Sequence, residues 1–154
     1  MEYFSFISLL VSMGAFLFSL CQFLLERQRQ RRVSTIHAFD ELEEKVFSNP
    51  EYLEADFLAI LRHKKEVEND LSIDANRDKY IKEWDKTTYY LSLIEHFAVG
   101  VNLNIYDIHT LKRMARSHII GEYEKLSEII MYKRRNKGND DLYKEFERLK
   151  RRME

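Results

Sequence analysis

Two kinds of hydrophobic pattern divide the chain. Tyr3 to Leu25 is 23 residues without a charge, bracketed by Glu2 and Glu26. A helix of that length rises about 34 Å, enough to cross the ~30 Å hydrocarbon layer with some tilt. Beyond it, apolar residues recur at helical spacing among charges. Val33, Ile36, Phe39, Leu42 and Val46 keep steps of three and four, so the span is predicted to run on as a helix until Asn49-Pro50. A second helix carries Leu53, Phe57, Ile60, Leu61 and Val67 on one face, and Glu68 to Asp78 reads as a loop with Asp74 or Asn76 as a cap. A third presents Tyr80 or Ile81, Trp84, Thr88, Leu91, Ile94 or Glu95, and Ala98. Gly100, Asn102 and Asn104 interrupt that pattern. Asp107 is then the expected N-cap of a fourth helix, with Ile108, Leu111, Met114, Ala115, Ile119, Leu126, Ile129 and Ile130. Lys137-Gly138-Asn139 breaks it, and Leu142, Phe146, Leu149 and Met153 form the narrow seam of a last helix.

These elements predict an all-α protein with a single N-terminal transmembrane helix followed by a small up-and-down bundle. The expected parts are the transmembrane helix at 1–25, an arginine-rich juxtamembrane helix at 26–48, a helical bundle at 49–135 and a basic helix at 136–154. One proline and four glycines exclude a turn-rich all-β fold. The lone Cys21 excludes an intramolecular disulfide and any Cys/His zinc spacing. His37, His63, His96, His109 and His118 include no pair three or four apart, so no metal face is expected on a helix. Phosphate-loop, dinucleotide and hydrolase-elbow motifs are missing, and no cofactor is expected. Trp84, Tyr90, Phe97 and Tyr89 are expected in the core rather than on a base-stacking face.

The apolar run is an uncleaved anchor by its flanks, since Met1-Glu2-Tyr3 supplies no basic start and Gln22 to Leu25 no small-residue cleavage site. Arg27, Arg29, Arg31 and Arg32 follow it at once. The excess of positive charge on that side predicts a cytoplasmic body and an N-terminus outside. The same arginines lie at the level of anionic headgroups. Within the span, Ser5, Ser8, Ser12, Ala15, Ser19 and Gln22 keep 3-4-3-4-3 spacing, a register in which every member is small or polar. Such a stripe serves a tight helix–helix seam, or a ring of copies around a wet lumen. Serine hydroxyls can also bond back to their own helix.

Charge is zoned along the remainder. Glu26 to Arg32 carries +3, Val33 to Tyr132 carries −7, and Lys133 to Glu154 carries +4. The acidic middle argues against a body shaped to grip nucleic acid, and DNA is not an expected partner. The basic tail suits RNA, a membrane surface or a neighbouring copy, and equally a solvated helix with local ion pairs. Candidate chemistry is confined to Arg113-x4-His118. On an unbroken helix the two side chains lie about 140° apart, so they would share a cleft only across a two-fold axis. There an arginine could hold a scissile phosphate while a histidine moves the proton of a 2′-hydroxyl. The spacing is weakly specific, because Arg32 and His37 repeat it.

Taken together, the anchor, the arginine collar, the short helical body and Arg113-x4-His118 resemble the small accessory membrane proteins encoded beside the RNA-targeting effector of type VI-B CRISPR systems. More loosely, Tyr89 to Gly100 and Asn104 to Asp107 are similar to a wide group of bacterial anchored helical proteins. The resemblance implies a divergent HEPN-like bundle that assembles as a ring-like homo-oligomer in the bacterial inner membrane. It further implies a pore that depolarises the infected cell once an RNA-guided CRISPR effector, or its RNA products, signal. Met114 stands where HEPN nucleases usually carry a polar residue. The resemblance therefore assigns Arg113 and His118 to assembly or function rather than to RNA cutting. Two other expectations stand beside the pore: an anchored HEPN-type RNase toxin using Arg113 and His118, and a scaffold without catalysis.

Overall fold

The computed structural model describes residues 2–69 and 77–154, with side chains from Ser8 to Glu68 and from Asp78 onward. The side chain of Ser5 and the candidate caps Asp74 and Asn76 lie outside the described residues. Every element is helical: α1 (Glu2–Leu42), a π-helical turn at Glu43–Phe47, α2 (Pro50–Leu53), α3 (Phe57–Asn69), α4 (Arg77–Asn102), α5 (Ile108–Lys137) and α6 (Lys144–Met153). No strand occurs among the described residues.

α1 is one continuous helix of 41 residues, about 61 Å long. Its N-terminal part is long and apolar enough to cross a membrane, and none of that apolar stretch is buried against the rest of the chain. Burial starts at Thr35 and continues with Phe39, Leu42 and Val46. Val33 and Ile36, expected on the buried face, are exposed instead, because α1 turns toward the bundle the face that carries Thr35, Phe39 and Leu42, with Val46 following in the π-helical turn. Asn49 then ends the segment and starts the next, its Oδ1 accepting from the Glu51 N–H at 2.9 Å with Pro50 in the first helical turn.

The expected second helix is two. Glu54 to Asp56 separates α2 from α3, and Asp56 Oδ1 caps α3 by accepting from the Ala59 N–H at 2.9 Å. The break turns Leu53 outward, 64% exposed, and Tyr52 inward, fully buried. α4 buries Thr87, Tyr90, Leu91, Ile94, Phe97, Ala98 and Val101, and half-buried Trp84 packs against this core as expected, while Tyr89 is exposed, against the expectation that it faces the core. α5 runs from the expected Asp107 cap, whose Oδ1 accepts from the Thr110 N–H at 2.9 Å, to Gly138 at φ 57°. That left-handed angle is one that glycine adopts at little cost. Met114 lies on the exposed side of α5, not in the core. Three of the four residues expected in the seam of α6, Phe146, Leu149 and Met153, are fully buried, whereas Leu142 lies half-buried in the turn before the helix begins at Lys144.

α6 has a long-range cap. Its own N-cap, Tyr143, has left-handed backbone at φ 56° and offers no side-chain acceptor to the helix. The Glu95 carboxylate of α4 takes over, accepting from the Glu145 and Phe146 N–H groups at 3.0 and 2.7 Å. Asn102 on the same helix donates to the Glu145 carbonyl at 2.9 Å and accepts from Arg152 at 3.0 Å. Burial holds the Glu95 carboxyl above its ordinary pKa, against the lowering effect of the two amides. Replacing Glu95 by Ala is expected to destabilise the fold by about 1–2 kcal/mol. Glu95→Gln, which keeps one acceptor, should lose less. Urea denaturation of the detergent-solubilised protein measures this, and equal midpoints for wild type and Glu95→Ala would show that the cap contributes nothing.

Candidate functional site

Two regions gather the residues that the sequence marks as functional: the bare half of α1 with its arginine collar, and the first half of α5. Ser8, Ser12, Ala15, Ser19 and Gln22 are exposed along α1. So are the bulky residues on its other faces, with Phe16 at 67% and Leu17 at 52%. The stripe therefore has no partner within the protomer among the described residues. Cys21 is exposed beside it.

The collar divides into two pairs. Arg27 and Arg29 project from α1 with no hydrogen bond or ion pair among the described residues. Arg31 and Arg32 turn to the bundle. Arg31 Nη2 donates to the Tyr106 carbonyl at 3.2 Å, and Arg32 Nε lies 4.0 Å from Asp107 Oδ2. Thr35, fully buried, completes this joint. Its hydroxyl donates to the Arg31 carbonyl at 2.6 Å and accepts from the Asp107 N–H at 2.6 Å. Burial opposes ionisation of Asp107, but the Thr110 and His109 N–H groups and the Arg32 guanidinium outweigh it and lower its pKa. The anchor and the start of α5 are thus tied through one hydroxyl and one carboxylate. Thr35→Val removes the acceptor of the half-buried Asp107 N–H and is expected to cost about 1 kcal/mol. Amide hydrogen exchange at Asp107 would report it; protection unchanged from wild type would remove the hydroxyl from this role.

Arg113 and His118 both lie on the exposed side of α5. Between them Ala115 leaves helical geometry, at φ −137° and ψ 18°, so the unbroken-helix angle of 140° does not apply. Among the described residues no hydrogen bond or ion pair joins the two. The His118 ring packs edge-on against Phe47 with centroids 4.4 Å apart, and against Phe39 at 6.3 Å. It is thereby held at the π-helical turn that ends the α1 segment. One turn further along, the buried Glu122 carboxylate accepts from the Tyr52 hydroxyl and pairs with Lys125 at 3.0 Å. Burial, then the Glu122 carboxylate, raises the Tyr52 pKa.

The open groove between α2, α3 and α4, about 460 Å³, is lined by Glu51, Asp56, His63, Glu83 and Lys86 and includes neither Arg113 nor His118. No cluster of three potential metal ligands occurs among the described residues. On the basic tail, Arg148 pairs with Glu145 at 2.7 Å, Lys144 with Asp141 at 2.5 Å and Arg134 with Glu147 at 2.9 Å. Much of its charge is answered locally, as on a solvated helix.

Sequence reasoning missed Lys133. It is buried, 7% exposed, with its ammonium 5.0 Å from the Trp84 ring centre and donating to Thr88 Oγ1 at 2.5 Å. Burial lowers its pKa to about 8, with Lys137 and Lys64 adding to the effect. Only the close approach of Trp84, Thr88 and Tyr143 makes the site, and no local signal announces it. Between pH 8 and about 10.5 the unfolded chain holds a proton on this lysine that the folded chain has released, so the contribution of Lys133 to stability is expected to rise with pH across that window, against the opposite contribution of the buried tyrosines above about pH 9 to 10. Lys133→Met should flatten that rise. Denaturant midpoints across the window test this, and identical slopes for both proteins would exclude Lys133 as the source.

The DUF4760 profile, described as a domain of unknown function, matches residues 9–153. The chain matches no curated protein and no solved structure. The matched stretch takes in most of the apolar part of α1, from Leu9, together with the bundle, and the chain belongs to the DUF4760 family.

Proposed function

We propose that this protein is a membrane-anchored homo-oligomer that permeabilises the bacterial inner membrane as an accessory effector of RNA-targeting CRISPR defence. One observation carries the oligomer: a helix long enough to span the bilayer carries a small and polar stripe that nothing among the described residues of its own chain covers. Hydroxyl and amide side chains facing hydrocarbon alone are unfavourable, whereas small residues let a second α1 approach closely and share hydrogen bonds. A ring of several copies with Ser8, Ser12, Ser19 and Gln22 facing inward turns the same stripe into the wall of an aqueous lumen, the bulky Phe and Leu faces outward to lipid. Arg27 and Arg29, held away from the bundle, suit headgroup contact on the cytoplasmic side, with the body in the cytoplasm and the N-terminus outside. The HEPN-like character of the bundle, and the RNA-guided effector or its RNA products as trigger, rest on the resemblance to type VI-B accessory proteins.

In this reading Arg113 and His118 act in assembly or gating. His118 sits against Phe47 and Phe39, at the end of the segment that α1 continues into the body, so a shift of α5 is felt by α1. The RNase alternative draws on one observation, the break at Ala115 between two exposed side chains of the right type. A non-catalytic scaffold needs only the helix seam.

The purified full chain is expected to run as a ring of several copies in detergent and to give single-channel currents in a planar bilayer. Ser12→Leu/Ser19→Leu is expected to abolish the currents while leaving the helical circular dichroism of the body intact. A silent dimer would overturn the pore; RNA cleavage by that dimer, lost in His118→Ala, would establish the nuclease, and its absence the scaffold.

A further inference from the structure

α1 keeps one register far beyond its uncharged part. Ser8, Ser12, Ala15, Ser19 and Gln22 are spaced by steps of three and four, and the same steps lead on through Glu26, Arg29, Val33, Ile36 and Asp40. The helix is continuous over Glu2–Leu42, so the register is not reset where the span ends. At 100° per residue, all of these positions lie about 100° to 180° around the helix axis from Thr35. Phe39 and Leu42, buried with Thr35, lie within about 40° of it. The register therefore runs along the side of α1 opposite the face that packs on the bundle.

The residues on that side past Leu25 fit a second copy of the same helix. Val33 and Ile36, 47% and 39% exposed, fall on adjacent a and d positions of the register. β-Branched side chains at both positions suit a parallel contact of more than two helices. The preceding a and d positions, Glu26 and Arg29, have opposite charge. Arg29 has no partner among the described residues, and Glu26 accepts from Gln30 at 3.4 Å. Copies that insert with their arginines on the same side of a membrane are parallel. In such a pair the Arg29 of one copy is about 4.5 Å further along the axis than the Glu26 of the next, within reach of a guanidinium. Asp40, the next a position, sets like carboxylates against each other, and the π-helical turn at Glu43–Phe47 breaks the period, so the contact ends there.

We infer that the α1 of a second copy lies parallel along Glu26, Arg29, Val33 and Ile36, extending the contact between copies about three turns past the span, with each bundle on the outer side of its own helix. This rests on the proposed association of α1 through its small and polar stripe, and the test separates the two. In the full chain with Cys21→Ala, single cysteines are placed by Ser12→Cys, Ser19→Cys, Val33→Cys and Ile36→Cys, with Leu17→Cys and Ser34→Cys as controls on other faces of the same helix. The proteins are reconstituted into vesicles of phosphatidylcholine and phosphatidylglycerol and oxidised with copper phenanthroline. A disulfide joins copies whose Cα atoms come within about 4.4–6.8 Å, and non-reducing electrophoresis reads the dimer. The expected result is dimer at all four register positions, several-fold above both controls. Dimer at Ser12→Cys and Ser19→Cys, with Val33→Cys and Ile36→Cys at the control level, would overturn the extension and keep the contact within the span. Dimer at Val33→Cys and Ile36→Cys alone would support the extension and overturn the close approach of the stripes. Control-level oxidation at all four would overturn both.

Discussion

A hydrophobic helix that its own protein does not cover must be covered by something else, and α1 carries this demand unbroken into the bundle. No turn separates the exposed apolar half from the half that packs, so the bundle has no independent choice of orientation. What it does have is a joint one helical turn deep. The Thr35 hydroxyl receives the Asp107 amide while returning its own proton to α1, and Arg31 and Arg32 grip the same connection from above. The end of α4 and the start of α5 are thereby tied to α1 six to ten residues past the uncharged run.

Below that joint, buried polar groups fasten helices to one another. Glu95 supplies α6 with the cap that its own flanking residue cannot, and Asn102 secures the same helix further along. Tyr52 and Glu122 fasten α2 to α5. Lys133 lies in an aromatic wall at the cost of its ordinary basicity. Each group is expensive to bury alone and inexpensive once paired, so each favours one arrangement of the helices over its neighbours. His118 belongs to this frame through Phe47 and Phe39, whereas Arg113 stands outside it.

The small residues of α1 have the opposite character. Among the described residues they are exposed along α1 rather than packed against the bundle, and their chemistry acquires meaning only when another helix, or water, lies against them. The contrast between a bundle with its own buried core and an apolar helix left bare is the ground on which we propose assembly in the membrane.

Local interactions made much of this legible in advance. Asn49-Pro50, the Asp107 cap, the break at Gly138 and the Phe146-Leu149-Met153 seam all depend on residues within a few positions of one another, and all stand as expected. The uncharged run and its arginines needed nothing beyond composition. Periodicity went less far, since it names a face without saying where packing begins. Val33, Ile36, Leu53, Tyr89 and Met114 have the right spacing and are exposed, while Thr35 and Tyr52 take the buried places. The pairs that hold the tertiary structure join residues far apart in sequence: Thr35 with Asp107, Tyr52 with Glu122, Glu95 with Phe146. A single chain of letters carries no record of such partners, because the distance that matters between them is set by how the helices cross and not by how many residues lie between.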